Sequence, residues 1–97
     1  MTASIHVSIR RWRDRINGNS YFSARCYADG KEIARLPFQY GYGSAPEWNA
    51  VAVLREAGIL PDGREGLFSA CDSAGIALTV DDYSALKRDV IAHGKKE

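Results

Sequence analysis

Six residues in the first 40 are of the types found where a protein grips another molecule: Arg10, Trp12, Tyr21, Arg25, Tyr27 and Arg35. Their spacing is what makes them a group. Ile5, Val7 and Ile9 alternate with His6, Ser8 and Arg10, and Phe22, Ala24 and Cys26 alternate with Tyr21, Arg25 and Tyr27. A period of two sends alternate side chains to opposite faces of a strand. If the apolar set faces a core, the six form a basic and aromatic sheet surface. Arginine and aromatic residues concentrate at protein-binding hot spots. They also stack and neutralise single-stranded nucleic acid. The same residue types also pack against one another across strands on a solvated face. The segment from Arg10 to Arg15 adds to the charge, with four arginines in six residues. Residues 1–48 hold seven basic against four acidic side chains, and residues 49–97 six against eight. The first half is therefore mildly positive and the second mildly negative.

Other chemistry finds little support. Cys26 and Cys71 lie far apart at no motif spacing, so they read as reduced, buried thiols rather than a disulfide framework. His6 and His93 sit at opposite ends of the chain and supply no zinc-ligand pattern. Asp81 and Asp82 are adjacent, which suits helix capping better than acid–base work on one substrate. Gly41-Tyr42-Gly43 precedes a helix but lacks the lysine or third glycine of a phosphate loop. The chain reads as non-enzymatic, with no cofactor and no metal.

The elements that would position these residues follow from pattern. Residues 4–13, 20–28 and 31–40 read as strands, joined by the hairpin signals Asn17-Gly18 and Asp29-Gly30. Ala34, Leu36, Phe38 and Tyr40 are expected on one side of the third strand, and Pro37 marks it as an edge or a bulge. A helix is expected over 45–57, capped by Ser44 and Glu47 and stopped by Gly58. A second, over 64–74, would turn Leu67, Phe68 and Cys71 inward. Residues 76–80 read as a short fourth strand. Asp81 and Asp82 then cap a last helix carrying Tyr83, Leu86, Val90 and Ile91, before a frayed tail at 94–97. The expected class is α+β, a single domain over 1–97. A three-stranded antiparallel meander with a short fourth strand is packed on one face by two to three helices, in the order βββ-α-α-β-α.

Net charge is +1 and 45% of residues are hydrophobic, an ordinary globular balance that argues against disorder and against a simple polyanion binder. No apolar run approaches the roughly 18 residues of a membrane span, and no secretory leader opens the chain.

The run Asn19-Ser20-Tyr21-Phe22-Ser23-Ala24-Arg25, then Asp29-Gly30, then Pro37-Phe38-Gln39-Tyr40-Gly41-Tyr42-Gly43 resembles small bacteriophage and prophage accessory proteins, over roughly residues 5–60. Some such proteins are anti-CRISPR or other anti-defence inhibitors. The resemblance implies a non-catalytic inhibitor that occludes a host protein complex, such as a CRISPR-Cas effector, in the bacterial cytoplasm. No binding residue carries over from it. A small nucleic-acid-binding protein using the basic and aromatic face is the alternative, and an assembly partner acting through the helical layer is a third.

Overall fold

The computed structural model describes residues 2–95. The elements are β1 (Ser4–Asp14), β2 (Asn19–Ala28), β3 (Lys31–Tyr40), α1 (Ala45–Glu56), α2 (Leu67–Ser73), β4 (Ala77–Ser84) and α3 (Lys87–Gly94). The α+β class and the order βββ-α-α-β-α are as expected.

The first three strands do form an antiparallel meander. Asp29 and Gly30, at φ 50° and 82°, give the β2–β3 hairpin the left-handed pair that its twist requires. The Asp29 carboxylate also accepts the amides of Ala3 and Ser4 at 2.9 and 3.0 Å, which anchors the start of β1.

The sheet as a whole is mixed rather than a pure meander, in the order β3-β2-β1-β4 with β4 parallel to β1. β4 also runs to Ser84, past the expected end at residue 80. Asp81 and Asp82 are strand residues, not helix caps. Alternation turns Asp81 to Arg10 on one face and Asp82 to Arg11 on the other, where Arg11 Nε and Nη2 both donate at 2.8 Å. Charge-assisted pairs to the neighbouring strand outcompete capping. The last helix consequently starts late and has no side-chain cap.

β3 departs from the expected parity. Phe22 pairs with Gln39 but Ala24 with Leu36, so Pro37 and Phe38 together oppose Ser23. This extra residue is a bulge at the proline. Ala34 and Leu36 stay on the core side, whereas Phe38 and Tyr40 change faces and meet Tyr21.

The main core lies between the sheet and α1/α2. It joins Ile5, Val7, Ile9, Ala24 and Cys26 to Ala50, Val51 and Leu54 of α1 and to Leu67, Ala70 and Cys71 of α2. Phe22 is fully buried on the same face, and its ring leaves no room for a side chain at Gly41. Both cysteines are free and buried, and desolvation pushes the Cys26 thiol up to about 11. Two local expectations fail. Ser44 makes no side-chain cap; its carbonyl accepts the Trp48 amide instead. Phe68 is 62% exposed, because α2 begins at Leu67 and only the Leu67, Ala70, Cys71 stripe points inward.

The helices do not all share one face. Phe22, Ser23 and Ala24 are buried in succession, as are Val7, Ser8 and Ile9. Consecutive strand residues point to opposite faces, so both faces are covered. α3 covers the second. Ser23 Oγ donates to the Val90 carbonyl at 2.6 Å, Arg25 Nε to the His93 carbonyl at 2.9 Å, and His93 Nε2 to the Ser8 carbonyl at 2.9 Å. A Cβ at Gly94 would lie 2.7 Å from both Ser23 Cβ and the Leu36 carbonyl oxygen, so the helix end is pressed onto β2 and β3. Gly94 is buried rather than part of a frayed tail; residues 96 and 97 of that expected tail lie outside the described residues.

Candidate functional site

α3 crosses the face that carries the six expected binding residues and divides them. Near its start, the Lys87 ammonium lies 5.2 Å from the centroid of the Trp12 ring. At its far end, the carbonyls of His93 and Lys95 accept from Arg25 and Arg35. Glu32 holds Arg35 as well, at 2.5 Å, and the hydrogen bond from Arg35 keeps the Glu32 carboxyl below its usual range. Arg25 and Arg35 therefore fasten a helix C-terminus, where cations suit the macrodipole.

Arg10 and Tyr27 belong to a polar patch on the other side of α3. Asp81 accepts from Arg10, from Ser8 Oγ at 2.8 Å and from His6 Nε2 at 2.9 Å. Burial opposes its ionisation, but these three hydrogen bonds together hold the carboxyl below its ordinary range. Arg10 also lies 5.0 Å from the Tyr83 ring centroid, and Tyr27 packs 5.9 Å from the His6 ring. His6 Nδ1 meets Thr79 Oγ1 at 2.7 Å, so a hydroxyl, an imidazole and a carboxylate stand in line. The carboxylate is also shared with the Arg10 guanidinium, and these bonds tie the edge strand β4 to β1.

Trp12 and Tyr21 remain, and the bulge brings them new neighbours. Tyr21 stacks on Phe38 with centroids 5.1 Å apart and planes at 8°. Trp12 lies 5.7 Å from Tyr21 and 6.4 Å from Phe38. Tyr40 meets Tyr21 edge-on at 5.9 Å, and Tyr42 meets Tyr40 edge-on at 6.2 Å. The five rings form one continuous ridge whose outer members, Tyr40 and Tyr42, are 58% and 67% exposed. The Gly41-Tyr42-Gly43 loop thus presents an aromatic ring outward.

The arginines at the same end are free to act. Among the described residues, Arg13 and Arg15 make no ion pair. Asp14 between them is occupied: its carboxylate accepts from the Asn17 side chain at 2.7 Å and from the amides of Ile16 and Asn17, which lowers its pKa. Two clefts flank Trp12 and Arg13. One, of about 160 Å³, is completed by Ser20, Tyr42 and Ser84; the other, of about 290 Å³, by Arg15, Ala85 and Leu86.

Sequence reasoning counted Arg13 and Arg15 only in the charge of the Arg10–Arg15 run, and it missed Phe38, Tyr40, Tyr42 and Lys87 as parts of this surface. Pro37 was the available signal, since a bulge there reverses the parity of everything after it. A separate groove of about 280 Å³ lies between α1 and α2, between Trp48 and Phe68. The described residues contain no cluster of histidine, cysteine and carboxylate side chains able to hold a metal ion, and no helix long and apolar enough to cross a membrane. No family model, curated protein or solved structure matches the chain.

Proposed function

We propose that the protein is a non-catalytic binder that docks on a partner protein through the Trp12–Tyr42 aromatic ridge and its arginine rim. One observation carries the reading: five aromatic rings converge at one end of the molecule, where Arg13 and Arg15 line the adjoining clefts and have no carboxylate partner among the described residues. Tyrosine, tryptophan and arginine are the side chains that dominate binding energy at protein interfaces. The rings also cover one another, with Phe38 on Tyr21 and the Lys87 ammonium over Trp12. That arrangement makes a contiguous apolar surface rather than separate open faces for bases. The resemblance to phage accessory proteins supplies the instance: an inhibitor of the anti-CRISPR kind, occluding a host protein complex in the bacterial cytoplasm.

Capture from a bacterial lysate tests this. The wild-type chain is expected to retain a partner that Trp12→Ala and Tyr42→Ala both lose and that Tyr27→Ala keeps. Retention by all three variants would remove the ridge from consideration.

Nucleic-acid binding is the second reading, favoured by Arg13, Arg15 and the exposed rings of Tyr40 and Tyr42. So few free cations predict weak and strongly salt-dependent affinity for single strands. Titration of a fluorescent oligonucleotide at two salt concentrations separates the readings, because tight binding that survives high salt favours nucleic acid over protein.

A further inference from the structure

We infer that the outer edge of β4 pairs with β4 of a second copy of this chain, extending the sheet across a twofold axis. The orientation of the strand is given by its ladder. Ala77 donates to the Ala3 carbonyl at 3.1 Å and Ala85 to the Arg11 carbonyl at 2.8 Å. In a parallel ladder alternate residues turn both backbone groups toward the neighbour. The odd-numbered positions of β4 therefore face β1, and Leu78, Val80, Asp82 and Ser84 turn their N–H and C=O groups outward. The sheet ends at β4, and among the described residues no backbone group meets these four.

The two sheet edges differ in their protection. β3 carries Pro37, two breaks in register and the charged pair Lys31 and Glu32, the devices that stop a strand from being extended. β4 has no proline, no lysine and no register break, and its carboxylates turn toward Arg10 and Arg11 of its own chain. Leu78 and Val80 pack against the core from this edge and stay only partly buried.

A second copy fits because the strand is self-complementary. With Val80 opposite Val80 on the axis, Leu78 lies opposite Asp82 and Thr79 opposite Asp81 of the other copy. No like charges are opposed, and Leu78 and Val80 gain cover. Sliding one step in one direction would set Asp81 against Asp81, which is unfavourable, and one step in the other would shorten the paired stretch from residues 77–83 to 77–81. Because β3 is closed to pairing, the assembly stops at an isologous dimer rather than growing into a fibre.

The test is sedimentation equilibrium over a wide concentration series, with amide hydrogen exchange measured at the two ends of it. Wild type should pass from monomer to dimer, and the amides of Leu78, Val80 and Asp82 should become protected as it does. Val80→Pro removes an outward-facing donor and no hydrogen bond to β1, so it should keep the wild-type circular dichroism and lose the dimer. If Val80→Pro fails to fold, the exchange of these three wild-type amides decides alone. A wild type that stays monomeric throughout, or a dimer that leaves those amides unprotected, overturns the inference.

Discussion

On one face of the sheet, Ile5, Val7, Ile9 and Phe22 are closed off from water by apolar side chains of α1 and α2. On the other face, α3 sits over Ser8 and Ser23 with a single fully buried apolar side chain, Val90, and is held chiefly by hydrogen bonds to carbonyl groups. The first face is stabilised by removing apolar area from water, at about 25 cal/mol per Å². The second draws on hydrogen bonds, each worth about 1 kcal/mol net and costly to leave half-made. The contrast shows that a polar strand face is not by itself a free one. Small hydroxyls and arginines can receive a helix as well as aliphatic side chains can, and only what the helix leaves open remains for a partner.

Substitutions on each face should separate these two kinds of cohesion. The largest effect is expected on the apolar side. Phe22→Ala should cost about 3–5 kcal/mol through the cavity it leaves, seen as a lower midpoint of the whole cooperative transition in denaturant unfolding. On the polar side, Gly94→Val would drive a branched side chain into Ser23 and the Leu36 carbonyl. It should cost about 1–3 kcal/mol and free α3 while the sheet amides stay protected in hydrogen exchange. If the sheet opens together with α3, the two faces are one cooperative unit and the comparison fails.

Mild acid should weaken the polar face through His93. Burial pushes the His93 imidazole below its ordinary 6.5; Arg25 and Arg10 add to this, while the Ser8 carbonyl and Asp81 oppose it. With the folded pKa depressed, the undocked helix binds more protons than the docked one as pH falls below about 6.5. Docking of α3 is therefore complete above that value, weakens as pH falls toward the depressed folded pKa, and then levels off. Amide exchange of α3 against pH should show this, and His93→Gln should flatten the profile. An unchanged profile in that variant would place the pH sensitivity elsewhere.

The sequence alone carries the element types and their order, because alternation and Asp-Gly or Asn-Gly turns are local signals. Three features escape it for physical reasons. Asp81 and Asp82 satisfy capping chemistry as well as they satisfy Arg10 and Arg11, and which partner wins depends on the neighbouring strand. α3 has too little apolar surface to announce which face it covers, since its contacts run through carbonyl groups that every residue possesses. The bulge at Pro37 reverses parity, and with it Phe38 moves from the expected core to the ridge. Of the six expected site residues, Trp12 and Tyr21 keep their place on the proposed surface. Arg10, Arg25 and Arg35 serve the fold, and Tyr27 lies beyond α3 against His6.

The most direct measurement is the affinity of the captured partner for Trp12→Ala, Tyr42→Ala and Tyr27→Ala, with melting temperatures taken on the same samples. If the open aromatic end is the working surface, each of the first two changes weakens binding by about 2 kcal/mol or more. Tyr42→Ala should do so with melting near wild type, since Tyr42 is exposed, and Tyr27→Ala should leave affinity unchanged. Full affinity in the Trp12 and Tyr42 variants, together with loss of binding in Tyr27→Ala, would contradict the account and move the site to the polar patch beside β4.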